Sequence, residues 1–140
     1  MSVAVNNGKS SKKVKRGLPV LIIEDEPSVM AFLKSALERN GYDTVCASSA
    51  RDGLELLSAQ QFQGIISDMR TPGGLTGADV HKWLTIHRPE LAQKILFITG
   101  DTVNQETLTL LKKTGAPCIE KPFRVSQLLA ALTHLLGSNS

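Results

Sequence analysis

Glu24 and Asp25 close the apolar run Val20-Leu21-Ile22-Ile23, and Asp68 closes Gly64-Ile65-Ile66-Ser67. Thr99 ends Ile95-Leu96-Phe97-Ile98, and Lys121, between Glu120 and Pro122, follows a shorter run. Each side chain able to do chemistry thus stands at the carboxyl end of a short β-prone segment. If those segments lie parallel in one sheet, the carboxylates of Glu24, Asp25 and Asp68 meet the Thr99 hydroxyl and the Lys121 ammonium in one shallow pocket. Clustered carboxylates repel, and a hard divalent cation relieves an oxygen-only cluster. Magnesium suits it, because it keeps several waters and takes one or two carboxylates together with phosphate oxygens. A carboxylate beside that cation stays ionised and can attack phosphorus. The cation, Lys121 and Thr99 would stabilise charge on the equatorial oxygens of the transferring group. These residues predict a phosphoryl-acceptor site.

The elements that must position them alternate strictly. The run 19–23 is continuous and β-branched, as in a strand covered on both faces. Pro27 then opens a helix carrying Val29, Phe32, Leu33, Ala36 and Leu37 at helical spacing, and Asn40-Gly41 ends it. Residues 42–47 read as a strand, 50–59 as a helix with Leu54, Leu56 and Leu57 inward, and 64–68 as the third strand. The loop Thr71-Pro72-Gly73-Gly74-Leu75-Thr76-Gly77 leads to a helix over 78–87. It lacks the Gly-x-x-x-x-Gly-Lys-Ser/Thr spacing of a P-loop and reads as a turn. A strand over 94–99, a helix over 104–113, a short strand over 117–120 and a helix over 125–136 complete the chain. Five strand–helix units in alternation imply a parallel sheet with helices on both faces. The expected fold is α/β, a flavodoxin-like (βα)5 three-layer sandwich with strand order 2-1-3-4-5. Its ligand crevice would lie at the carboxyl ends of strands 1 and 3.

Composition narrows the class. The 140 residues are 41% hydrophobic and 21% charged, which fits one folded domain. No apolar run approaches the roughly 20 residues of a membrane span, so a cytoplasmic protein is expected. The net charge of +3 divides unevenly: residues 1–17 carry Lys9, Lys12, Lys13, Lys15 and Arg16 and no acid, leaving 11 basic and 13 acidic residues beyond. Residues 1–17 read as a flexible basic leader or linker and 18–140 as the domain. Cys46 and Cys118 fall on the outermost strands of the expected sheet, too far apart for a disulfide, and are expected as buried free thiols. His81, His87 and His134 have no ligand spacing for a transition metal. Trp83 is expected to pack, and Leu128, Leu129, Leu132, Leu135 and Leu136 give the last helix one apolar face.

Four motifs resemble the receiver domains of two-component response regulators: Ile23-Glu24-Asp25-Glu26-Pro27, Ser67-Asp68-Met69-Arg70-Thr71-Pro72-Gly73, Phe97-Ile98-Thr99-Gly100 and Glu120-Lys121-Pro122-Phe123. The resemblance covers about Leu18 to Leu136. It implies that Asp68 accepts a phosphoryl group from the phosphohistidine of a sensor histidine kinase or phosphotransfer protein. It implies that Asp25 and Asp68 ligate magnesium directly, Glu24 mainly through water, and that the Arg70 backbone carbonyl completes the set. Thr99 and Lys121 would bind the phosphoryl oxygens. The Lys121–Pro122 peptide is commonly cis in that family, whereas X–Pro bonds are trans by default. The output surface would comprise the helix over 104–113, the strand over 117–120 and the last helix. The output is a conformational equilibrium rather than turnover of a substrate; no nucleic-acid or membrane contact is expected through this chain, and it would be a monomer or a phosphorylation-dependent homodimer.

Departures from the pattern refine that expectation. The position three before Lys121, usually aromatic in the family, is Cys118, a poor lever for switching. Switching is then expected either to run through the backbone near Thr99 and the 104–113 helix or to be weak. The loop after Asp68 is one residue longer than the commonest form; with Gly115-Ala116-Pro117-Cys118 it looks like receivers attached to hybrid histidine kinases. Either such a receiver or a single-domain regulator is expected. Arg70 and Asp101 lie two residues beyond Asp68 and Thr99, where pairing between them would shield the acyl phosphate. Two alternatives belong to other classes. A pseudo-receiver would act as an interaction module without phosphorylation, but the complete set Glu24, Asp25, Asp68, Thr99 and Lys121 argues against it. A flavodoxin-like cofactor protein or small hydrolase would need a phosphate-binding loop after strand 1, where Glu24-Asp25-Glu26 repels anions.

Overall fold

The computed structural model describes residues 17–70, 73–100 and 104–137. Its strands are β1 (Val20–Ile23), β2 (Thr44–Ala47), β3 (Gly64–Asp68), β4 (Ile95–Thr99) and β5 (Cys118–Glu120). The helices are α1 (Pro27–Arg39), α2 (Ala50–Ala59), α3 (Gly77–His87), α4 (Pro89–Ala92), α5 (Gln105–Thr114) and α6 (Val125–Gly137). The strands form one parallel sheet of order β2-β1-β3-β4-β5, as the alternation predicts. Its register aligns the catalytically capable ends: Ile23 lies opposite Ser67, Asp68 opposite Ile98, and Thr99 opposite Glu120.

Alternation along each strand divides the core into two layers. Leu21, Ile23, Ile65, Ile95 and Phe97 point to the side covered by α2 and α3, with Leu57, Val80 and Leu84 buried against them. Val20, Ile22, Ile66, Leu96 and Ile98 point to the side covered by α1 and α6, against Leu33, Leu37, Leu128 and Leu132. Every residue of β1, β3 and β4 is buried. The apolar side chains among them contribute roughly 1.5–3 kcal/mol each by leaving water. The edges are wetter: β2 and β5 are largely half-buried or exposed.

Capping fixes the helix that follows the Asp68 loop. The Thr76 side chain accepts from the Asp79 backbone N–H, and the Asp79 carboxylate accepts from the Thr76 N–H at 2.7 Å, a reciprocal capping box. Gly77 then brings the helix hard against the sheet, where a Cβ would stand 2.6 Å from Phe97 Cε1 and 3.0 Å from the Asp68 carbonyl oxygen.

Several details differ from the sequence reading. The turn α4 was not expected, because four residues carry no period; Pro89 starts it and Leu91 and Ala92 bury its inner side. Phe32 does not join the buried stripe of α1: it is exposed, its ring tilted against Phe123 at 5.8 Å. The thiols are free but not buried as expected. Cys46 is exposed because β2 is an edge strand, and Cys118 is half-buried on the opposite edge. Trp83 packs on the α2–α3 layer, its ring tilted against His87 with centroids 4.7 Å apart. The leader, residues 1–16, lies outside the described residues. No helix among the described residues is long and apolar enough to cross a membrane.

Candidate phosphoryl-acceptor site

The carboxyl ends of β1, β3 and β5 bring together Glu24, Asp25, Asp68 and Lys121. Donor oxygens of the three acids lie within 4.8 Å of one another, with Glu24 and Asp68 buried and Asp25 exposed. Lys121 reaches in from the residue after β5. Its Nζ donates to Asp68 Oδ2 at 3.0 Å and to Glu26 Oε1 at 3.3 Å, and stands 3.2 Å from Glu24 Oε1. One ammonium therefore serves three carboxylates, of Glu24, Glu26 and Asp68. Glu26 was not among the expected site residues; only its place next to Asp25 marks it, and the side chain is mostly exposed.

Backbone donors hold the acids in place. Glu24 Oε2 accepts the Glu26 N–H at 3.0 Å, and Asp68 Oδ1 accepts the Arg70 N–H at 3.3 Å. Glu24 Oε1 is buried and without a hydrogen bond, its approach to Lys121 being an ion pair without hydrogen-bond geometry. Burial raises the Glu24 pKa; the Glu26 N–H works against that, and the nearby Asp68 charge reinforces it. Lys121 shows the converse balance. Burial pulls its pKa down, but hydrogen bonding and charge from Asp68, with further help from Glu24, outweigh that and raise it.

Thr99 is buried at the end of β4, one residue beyond the register partner of Asp68, and its carbonyl accepts the Lys121 N–H at 2.7 Å. The Lys121–Pro122 peptide is cis. Arg70 bridges antiparallel to Thr76, and its side chain runs to α5. There Nε donates to Thr107 Oγ1 at 3.1 Å, and Nη2 pairs with Glu106 Oε1 at 2.8 Å. The expected partner Asp101 lies outside the described residues. Neither Glu106 nor Thr107 was read from the sequence, since nothing in the order of residues ties position 70 to the first turn of a helix beyond β4.

The arrangement has a clear chemical bias. An all-oxygen donor set, with a buried Glu24 oxygen that meets the shared Lys121 ammonium without hydrogen-bond geometry, suits a hard divalent cation and no soft one. Beside it stand one ammonium and a carboxylate that is still reachable at the pocket floor, with side-chain exposure of 11% for Asp68.

Comparison with known proteins identifies the family and the fold. The profile of the "Response regulator receiver domain" matches residues 20–133. Nodulation protein W of Bradyrhizobium diazoefficiens is 31% identical over 116 residues, 81% of this chain and 48% of that protein. The alkaline phosphatase synthesis transcriptional regulatory protein PhoP of Bacillus subtilis is 27% identical over 117 residues, 84% of this chain and 48% of that protein. The chain spans about half the length of these curated relatives. Among solved structures, the signal receiver domain of a signal transduction histidine kinase from Syntrophus aciditrophicus superposes with a TM-score of 0.78 at 27% identity, covering 87% of this chain and 92% of that one. Chemotaxis protein CheY4 of Vibrio cholerae gives 0.73 at 28%, covering 85% and 98%.

Proposed function

The chain belongs to the response regulator receiver domain family, and we propose that it is a phosphoacceptor in two-component signalling, taking a phosphoryl group from a phosphohistidine onto Asp68. The observation that carries this reading is the Lys121 ammonium shared by Asp68 and Glu24, whose buried oxygen Oε1 meets it as an ion pair without a hydrogen bond. Such a pocket is short of positive charge and built of oxygen donors. Magnesium would be held by Asp25, Asp68, the Arg70 carbonyl and, through water, Glu24. When bound, it supplies positive charge to the phosphoryl oxygens and keeps the acceptor carboxylate ionised.

The chain's own residues do the rest. A carboxylate oxygen of Asp68 attacks phosphorus in line, the P–N bond to the donor imidazole breaks, and its electron pair stays on that nitrogen, which is left neutral or takes up a proton from solvent. The Arg70 N–H fixes Asp68 through Oδ1 during attack. Lys121 follows the negative charge from the carboxylate to the phosphoryl oxygens, and the Thr99 hydroxyl would donate to one of them. The product is an acyl phosphate carrying about two negative charges where the free carboxylate carried one, so a pocket already crowded with acid gains about one more. Its formation therefore shifts the conformational equilibrium, and output is a change in partner binding. A sensor histidine kinase or phosphotransfer protein is the proposed donor. Receiver domains generally signal rather than turn over a substrate.

Intact-mass measurement after acetyl phosphate and magnesium tests the reading. One phosphoryl adduct is expected, absent in Asp68→Asn and absent without metal. No adduct on the unaltered chain would leave an interaction module that works unphosphorylated.

A further inference from the structure

Arg70 is anchored at both ends. Its backbone N–H donates to the Asp68 carboxylate, and its strand bridge to Thr76 ties it to the capping box of α3. From that fixed base its guanidinium crosses to α5, donating to the fully buried Thr107 hydroxyl and pairing with the Glu106 carboxylate. Thr107 and Leu108 in turn hold the start of α5, their N–H groups bonded to the side chain and carbonyl of Asn104. One side chain thus joins the residue two beyond the acceptor to the first turn of a helix on another strand connection.

The two ends of that link differ in strength. The Arg70–Glu106 pair is solvent-exposed, 42% and 73%, and such pairs are individually weak. A phosphoryl group on Asp68 would offer a dianionic acceptor beside the base of the same side chain, and arginine–phosphate bonds are charge-assisted and bidentate. We propose that Arg70 is a two-position switch. It grips Glu106 and Thr107 on α5 in the unphosphorylated protein, turns to the phosphoryl group when Asp68 is modified, and so loosens the first turn of α5. Because Glu106 also lines the cleft of ≈ 490 Å³ between α3 and α5, with Asp79, Lys82 and Lys113, its release alters the charge presented there. Cys118 stands where the family's aromatic lever is expected, and this link supplies a route that needs no aromatic ring. By reciprocity, whatever weakens the α5 grip favours the phosphorylated state.

The switch rests on the phosphoacceptor reading, and the test separates the two. Hydrogen exchange at the Thr107 and Leu108 amides is measured in the full chain, with magnesium, before and after beryllofluoride. Beryllofluoride affinity is measured by titration, and adduct formation from acetyl phosphate by intact mass. Loading should speed exchange at those two amides in the unaltered protein. In Arg70→Ala they should already be fast and rise no further. Glu106→Gln, a change at an exposed position, should tighten beryllofluoride binding roughly two- to fivefold, the range that release of one exposed ion pair can supply. An adduct that forms while exchange at Thr107 and Leu108 stays constant, or a Glu106→Gln beryllofluoride affinity equal to that of the unaltered protein, overturns the switch alone. No adduct on Asp68 at all overturns the phosphoacceptor reading and the switch with it.

Discussion

A single ammonium among several carboxylates is the most economical description of the site at the scale of residues. Lys121 carries the only positive charge that contacts Asp68, Glu24 and Glu26 among the described ion pairs. Lys121→Met should leave the fold intact, since Lys121 follows β5 and is not part of the core, yet slow adduct formation from acetyl phosphate by tenfold or more, as loss of one preorganised donor does. A rate within twofold of the unaltered chain would remove Lys121 from the chemistry. The thiols give a second residue-scale outcome. Burial, with Glu120 and Asp68 nearby, pushes Cys118 up to about 11, so at neutral pH its thiolate is on the order of one in ten thousand molecules. Cys46 is also raised, chiefly by burial, but it is exposed on the edge strand. Iodoacetamide should therefore modify Cys46 first, and mapped peptides showing Cys118 alkylated ahead of it would contradict the geometry. Glu24, Asp25, Asp68, Thr99 and Lys121 were legible in the sequence because each closes an apolar run, and in a parallel sheet all such ends face one way. The Glu26 and Thr107 contacts were not, because long side chains choose their partners from three-dimensional neighbours that sequence spacing does not encode.

Elements were legible to the degree that their period was strong. The runs of β1, β3 and β4 are apolar on both faces and declare a buried parallel sheet, whereas α4 is a single turn set by Arg88-Pro89 and by where Leu91 falls. The seating of α3 shows what pattern alone hides: Gly77 reads in sequence as the end of a turn, yet it is the first residue of the helix and its N–H donates to the Met69 carbonyl at 2.7 Å. Gly77→Ala would gain up to about 1 kcal/mol of helix propensity. It would also drive a methyl group onto the fully buried Phe97 ring and the Asp68 carbonyl oxygen. Backbone cannot yield as a flexible side chain can, so overpacking, typically 1–3 kcal/mol, prevails. Thermal unfolding should fall by roughly 3–8 °C. The same shift should displace Asp68 and slow adduct formation, tying the helix seat to the chemistry. An unchanged midpoint would mean that α3 can back away from the sheet at no cost.

For the whole molecule, the pocket is a place where stability is set against function. Glu24 is buried with one oxygen lacking a hydrogen bond, and its pKa is raised by burial and by Asp68. A carboxyl group whose folded pKa lies above its unfolded one binds more protons when folded. It therefore opposes folding at neutral pH, and the opposition fades as pH falls through the folded value toward the unfolded value near 4.5. Glu24→Gln keeps an oxygen to accept the Glu26 N–H and removes the charge. Without metal at pH 7.5 it should unfold a few degrees higher, a gain of about 1 kcal/mol of the kind seen where a strained site is relaxed. The advantage over the unaltered protein should shrink as pH is lowered through the carboxylate range, since Glu24 then protonates and ceases to differ from the amide. Magnesium should act in the opposite sense. It binds the folded state and should raise the midpoint of the unaltered protein by mass action, and it should raise that of Glu24→Gln less, because one of the acids that attract it is gone. A Glu24→Gln variant that is less stable at neutral pH would mean that the ion pair with Lys121 outweighs the burial of the charge. Equal magnesium shifts in both proteins would place the cation's hold on Asp25, Asp68 and the Arg70 carbonyl, without Glu24.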